Sequence, residues 1–315
     1  MMAVMPLPWS KRPWSLPFLT VLASSKSYNE SQNKRHKTTV DWTCQMIMQI
    51  RRWLPNHPIV LVGDGAYAAV KLALCCIGLP TPVNLVSRLR LDAALYDPPP
   101  ADQPGKRGPK PKKGDRQPSL VERIKDQSTQ WLPITMDWYD GIQYNLEVFS
   151  GISLWYTPGF KPVRIKWVVV RDPAGKLPTE AFFTTDLQAS EEQILTWFVL
   201  RWNVEVTFEE LRTHLGVETQ RQWSDLAIAR TTPSLFAMFS VVVLMALEIT
   251  KNKTMSILNC AWYQKSDATF SDVIALVRRH IWYTRKYKNS SLAPNSTYFK
   301  NDLLETLLDI VCYAA

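Results

Sequence analysis

Cysteine is sparse in this 315-residue chain, and its spacing matters more than its number. Cys44, Cys75, Cys76, Cys260 and Cys312 are five thiols without a single Cys-x-x-Cys pair. That excludes a zinc or disulfide framework and fits a reducing cytosol. A secretory leader is missing too: MMAVMPLPWSKRPW has no basic start, and prolines stand where an apolar core should run. The longest apolar run, Leu235–Leu247, is interrupted at Ser240 and ends at Glu248. It falls short of the roughly 20 residues a bilayer needs, so a buried helix and no membrane partner are expected. No internal repeat is present. Acidic residues are scarce at the start, where Glu30 and Asp41 are the only ones before Asp64.

What is present points to a polyanionic partner. The net charge is +9 and the pI about 9.3, a balance shared by nucleic-acid, ribosomal and membrane-surface proteins. Thirteen Trp are available either to fill a core or to stack on bases. The length suffices for a full core, as one large domain or two smaller ones.

The opening reads as a hairpin, Met1–Leu7 and Leu16–Ala23 flanking a turn at Trp9–Trp14. Helical periodicity over Thr38–Leu54 follows, with Thr39 or Asp41 as caps. Ile59–Val62 is a short apolar run of the buried-strand kind, Gly63-Asp64-Gly65 closes it, and Ala66–Ile77 reads as the next helix. This order makes an α/β unit with Asp64 at the carboxyl end of its strand, where open α/β sheets commonly place ligands. Asp97–Pro118 is a proline- and glycine-rich break that cannot pack. Within it Lys106–Arg116 carries six basic residues (Lys106, Arg107, Lys110, Lys112, Lys113 and Arg116) against one acidic. Two readings stand: an arm on DNA phosphates or in a minor groove, or a solvated linker. Tyr144–Phe149, Ser153–Tyr156, Arg164–Val170 and Ala181–Thr185 are expected strands. Glu191–His214, Ser234–Thr250, Ser271–Lys286 and Asn301–Cys312 are expected helices.

Within the first of these helices, Arg201, Glu205, Glu209 and Arg212 fall on one stripe at spacings of four, four and three. A carboxylate between guanidinium groups suits a metal ion beside phosphate oxygens; the same stripe also suits an ordinary solvated face. Phe198-x-x-Arg201-x-x-x-Glu205-(six)-Arg212 resembles the Tyr-x-x-Arg-x-x-x-Glu-(six)-Lys signature of DDE-type bacterial insertion-sequence transposases. HLGVETQRQWSDLAIARTTP (His214–Pro233), DWY (Asp137–Tyr139), RDPAGK (Arg171–Lys176) and GDGAY (Gly63–Tyr67) extend the resemblance over nearly the whole chain. Phe198 replaces the signature Tyr and loses a hydroxyl. Arg212 replaces the Lys, keeping the charge with a different geometry.

The resemblance implies an α/β fold: an RNase H-like core interrupted by a β-rich insertion, with a helical C-terminal part. The expected division is 1–96 for a partial core, 97–118 for the basic linker, 119–189 for the β insertion, and 190–315 for the Glu-bearing helix and terminal helices. It implies Asp64 and Glu205 as catalytic metal ligands for Mg²⁺ or Mn²⁺. Arg201 and Arg212, with Lys106, Arg107, Lys110, Lys112 and Lys113, would contact DNA. Two metals bridged by carboxylates would stabilise the attacking and leaving oxygens of phosphoryl transfer. The partner would be double-stranded DNA, at element ends and target, with a homo-oligomer on DNA, in the bacterial cytoplasm at the nucleoid.

The family's first Asp, on a strand before the hairpin, has no counterpart, since Glu30 lies in a polar loop and Asp41 at a helix start. The chain therefore reads as lacking the first core strand and one ligand, and as catalytically impaired alone. His214 reads as a structural histidine. Trp155 and Trp167 read as core residues or as the ring that stacks on an extruded base; Trp223 reads as a DNA contact or a packing residue. The alternative function is an inactive DNA-binding fragment that inhibits full-length transposase. A sugar hydrolase using Asp64 and Glu205 as a carboxylate pair is a third reading.

Overall fold

Alternation opens the chain as a hairpin, β1 (Met2–Leu7) and β2 (Ser10–Pro17). The computed structural model describes residues 1–100, 111–139, 141–251, 255, 257–258, 264–289 and 301–313. The turn is tighter than the sequence implied: Leu7 pairs with Ser10, so Lys11–Trp14 lies inside β2. That register buries Trp9, Trp14 and Leu16.

Contacts gather the chain into two units, Met1–Leu22 with Asn203–Ala315, and Ala23–Trp202. In the first, the hairpin packs with α6 (Asn203–Leu215), α7 (Asp225–Thr250) and α8 (Phe270–Asn289) around Leu211, Phe239, Val243 and Phe270. The Phe239 and Phe270 rings stack at 4.3 Å. Polar ties fix the hairpin as well. The Lys11 N–H donates to Asp267 at 2.8 Å, and the Ser240 hydroxyl donates to the Pro17 carbonyl at 2.5 Å. The last helix, α9, spans Asn301–Tyr313.

Helix α7 departs from expectation in length and burial. It begins at Asp225 under the Ser224 cap, runs through Pro233, and is long and apolar enough by composition to cross a membrane. Only Phe239, Val243 and Ala246 are buried, while Met238, Val241 and Leu244 stand about half exposed. The helix is therefore covered along one stripe rather than on all sides.

The second unit is built on a mixed sheet. β3 (Val60–Gly63) runs parallel to β4 (Asn84–Leu89). The order continues through β9 (Glu180–Thr184), β8 (Val163–Arg171), β7 (Gln143–Trp155) and β5 (Leu95–Tyr96), all antiparallel. β6 (Leu132–Asp137) also pairs with β7. The helices are α1 (Lys26–Ser31), α2 (Thr39–Trp53), α3 (Val70–Ile77), α4 (Leu120–Lys125) and α5 (Glu191–Leu200). The mixed α/β class is as expected.

Two expected strands, Tyr144–Phe149 and Ser153–Tyr156, are one. Gly151 does not break β7; a Cβ there would come within 2.6 Å of the Trp167 ring. The glycine admits the indole, whose Nε1 donates to the Ser153 hydroxyl at 2.9 Å. Thr38, rather than Thr39 or Asp41, caps α2, and Asp41 closes the capping box. This arrangement contributes about 1 kcal/mol. Arg51, 4% exposed, donates to the carbonyls of Leu54, Pro55, His57 and Pro82. It thereby fixes the loop that leads into β3.

Candidate active site

β3 is apolar because α5 covers it, and its last residue, Gly63, is pinned by Tyr67. A Cβ on Gly63 would lie 2.8 Å from the Tyr67 Cβ. Asp64 follows in extended conformation, and its Oδ1 accepts from the Ala66 N–H at 2.9 Å, capping a single turn at Gly65–Tyr67. The buried Ser87 of β4 donates its hydroxyl to the Asp64 carbonyl oxygen at 2.6 Å. The side chain itself is exposed. Burial pushes the Tyr67 hydroxyl up, and the Asp64 charge adds to that. Gly63, Ala66 and Tyr67 thus each have a part in presenting the Asp64 carboxylate at a strand end.

The helix expected at Glu191–His214 is two helices. The Arg201 and Trp202 N–H groups bond to Phe198 and Val199, three residues back, at 3.1 and 3.0 Å. The chain leaves α5 there and starts α6 at Asn203. Different cores explain the break. Ile194, Leu195 and Phe198 bury against the sheet, whereas Leu211 buries with the hairpin and α7. Arg201 therefore caps α5 and does not share a helical stripe with Glu205, Glu209 and Arg212, which all lie on α6.

Asp64 and Arg201 belong to the Ala23–Trp202 unit, Glu205 and Arg212 to the other. Glu205 is exposed in the first turn of α6. Arg212 makes a two-bond pair with Glu218 at 2.6 and 3.1 Å, which raises its proton affinity. A phosphate there competes with a carboxylate. His214 Nε2 lies 3.2 Å from Glu210, whose carboxyl burial pushes up. That engagement suits the structural role expected of this histidine.

Of the basic arm, Lys106, Arg107 and Lys110 lie outside the described residues. Lys112 is exposed, while the Lys113 ammonium sits 3.4 Å from the Tyr96 ring centroid and 4.5 Å from that of Tyr156. The arm's root is zipped: the Asp97 N–H bonds Asp115, Gly114 bonds Asp97, and Gln117 bonds Leu95, each at 2.9 Å. Trp155 and Trp167 are both core, Trp155 packing on Phe183 at 4.9 Å. Trp223 is 95% exposed.

The structure adds residues that the sequence did not single out. At the end of the sheet face covered by α5, Arg88 of β4 pairs with Glu180 of β9. Tyr139 lies within electrostatic reach of Glu180, Arg201 and Arg88. Its ring sits 5.5 Å from Trp202, itself 44% exposed. A charged residue inside the mostly buried strand NLVSRL was the available signal.

Carboxylate oxygens suit a hard divalent cation. However, no group of three His, Cys, Asp or Glu side chains that could hold a metal occurs among the described residues. The two candidate ligands fall in separate units, and one Asp64 oxygen is committed to Ala66. The described residues do not make up a complete metal centre.

Two family models match the sequence. One, described as DDE superfamily endonuclease, covers residues 2–144; the other, described as "Archaeal putative transposase ISC1217", covers residues 156–257. No curated protein matches. Among solved structures, the cryo-EM structure of piggyBac transposase synaptic complex with hairpin DNA aligns at 10% identity and a TM-score of 0.35. The alignment covers 86% of this chain and 45% of that one, so the chain spans less than half its length. Residues 2–144 are thus similar to DDE superfamily endonucleases, and residues 156–257 to that archaeal putative transposase family.

Proposed function

We propose that the chain is a DNA transposase component of the DDE, RNase H-like type, in which Asp64 and Glu205 are metal-ligating carboxylates acting on DNA phosphodiesters. The observation that carries this reading is Asp64, an exposed carboxylate at the carboxyl end of a parallel strand pair, inside a stretch that matches a DDE endonuclease model. The Ser87 and Ala66 bonds hold it in one orientation, which is the preorganisation a reacting phosphate requires. Arg201, half-buried at the end of α5, supplies a planar donor fork of the kind that matches phosphate oxygens. Arg212 and the lysines of the arm add charge for the DNA backbone.

Mg²⁺ or Mn²⁺ is the cofactor this reading requires, and the described donor set is short of a third group. Asp41 does not supply it, being committed to Thr38 and to an ion pair with Lys71. Glu30 does not either; it lies on α1, 3.8 Å from Lys26. Among the described strands β3 bonds only to β4, leaving its other edge open beside Asp64. A carboxylate brought to that edge would complete the set. The same shortage favours a second reading, a DNA-binding fragment that occupies element ends without cutting them.

Filter binding of a DNA duplex under a salt titration tests the shared part of both readings. Affinity falls steeply with salt if phosphates are contacted; salt-insensitive binding, or none, sinks them together. Incubating the purified chain with Mg²⁺ and element-end DNA tests the shortage of a third donor. Little or no cleavage is expected, and robust cleavage lost in D64N and E205Q would overturn the need for a further carboxylate.

A further inference from the structure

Arg88 is the only basic residue of β4, between the buried Ser87 and Leu89. Its register partner on β9 is Phe182, two residues from Glu180, so all three share one sheet face. The ion pair across that face is lopsided. The Arg88 side chain is 51% exposed and that of Glu180 only 14%, so the cation is open to an incoming anion while its carboxylate is nearly covered. Asp64 is the neighbour on the other side. Ser87, next to Arg88 in sequence, holds the Asp64 carbonyl, and the Arg88 stem runs beside Gly65, 4.0 Å from where a Cβ would stand.

We propose that Arg88 is a phosphate-binding residue kept in position by Glu180 until DNA arrives, when the guanidinium exchanges that carboxylate for a phosphate oxygen beside Asp64. This rests on the DNA-binding reading above. The exposed guanidinium end of the pair stays open to solvent, where an incoming phosphate can compete for it. An Arg fork fits two phosphate oxygens as readily as it fits a carboxylate. Glu180 is then left beside Tyr139. Burial already raises the Glu180 carboxyl's proton affinity despite Arg88, and Tyr139 is pushed up to about 12, by burial first and then by Glu180.

The test is fluorescence anisotropy of a labelled DNA duplex titrated with the full chain at several potassium chloride concentrations. R88A weakens binding and lowers the salt slope by about 0.9, the share of one phosphate; R88K keeps the slope. E180Q, nearly isosteric, binds several-fold tighter than the unaltered chain because Arg88 no longer has a competing anion. Opposite signs for R88A and E180Q are the signature of exchange. A purely structural pair weakens binding in both variants or in neither, and that result overturns the proposal. R88Q, which keeps a donor toward Glu180 without the charge, stands in if R88A does not fold. Absence of salt-dependent binding by the unaltered chain would sink the DNA reading itself, whereas normal binding with an unchanged R88A slope sinks only this inference.

Discussion

The two candidate carboxylates are held in different ways. Asp64 takes its position from a sheet: its carbonyl is fixed by Ser87, its side chain by Ala66, and the preceding glycine by Tyr67. Glu205 takes its position from a helix, exposed in the first turn of α6. The nearest anchor of that helix is Thr207, whose hydroxyl lies 2.7 Å from the Ser15 carbonyl. Disturbing the sheet disturbs Asp64 directly, while α6 tolerates change on its outer face and depends on its buried face against the hairpin, α7 and α8.

The heaviest blow to this contrast is W167A. Trp167 is 1% exposed, with Phe149 at 5.6 Å and the Ser153 hydroxyl on its Nε1. Removing it should cost about 3–5 kcal/mol in urea unfolding. A loss under about 1 kcal/mol would mean the sheet is not the rigid half. Next comes G63A, which forces a methyl against Tyr67 and should cost about 1–3 kcal/mol. Y67G in the same chain, which removes the Cβ as well, should recover part of that loss, and strictly additive losses would refute the pinning of Gly63 by Tyr67.

The helical unit has its own sensitive point at Asp272, 1% exposed. Burial alone would raise its proton affinity, but the Thr269 N–H and hydroxyl, Lys265 and Tyr313 hold it below the ordinary 3.8. A depressed carboxyl contributes stability above its unfolded value and loses it as pH falls through the folded one. Thermal melts followed from neutral pH to below 3.8 should show this unit weakening, and D272N should flatten that dependence while lowering stability at neutral pH. An unchanged acid profile in D272N would remove Asp272 as the cause. The smallest effect belongs to E218Q, which frees Arg212 from an exposed pair. Stability should be essentially unchanged, since the pair is screened by solvent, and a clear loss would show that the outer face of α6 is less tolerant than its exposure implies.

The parts of this molecule legible in sequence are those written in local chemistry. Apolar Ile59–Val62 followed by Gly-Asp-Gly gave both a strand and an exposed acid at its end, because a strand between covering layers leaves little choice of residue. The break at Arg201–Trp202 was not legible. No proline or glycine marks it, and the charge spacing runs through it undisturbed; only the need of Phe198 and Leu211 to enter different cores ends the helix. Gly151 misled for the opposite reason, since a glycine that punctuates a turn and one that admits an indole look the same in one dimension. Arg88 and Glu180 lie far apart in sequence and meet only through the β4–β9 register, which no local pattern encodes.

The zipped root at Leu95–Asp97 and Gly114–Gln117 has a consequence for how this protein can vary. The segment leaves and re-enters the sheet at paired backbone positions, so its ends are fixed whatever its contents. Doubling a flexible loop between fixed ends costs only about 0.6 kcal/mol in closure entropy. Gly114, where a Cβ would lie 2.4 Å from the Pro98 carbonyl oxygen, is the position least free to change. Residues between those ends can be lengthened, shortened or exchanged without shifting any strand, leaving the basic content of the arm open to retuning independently of the chemistry at Asp64.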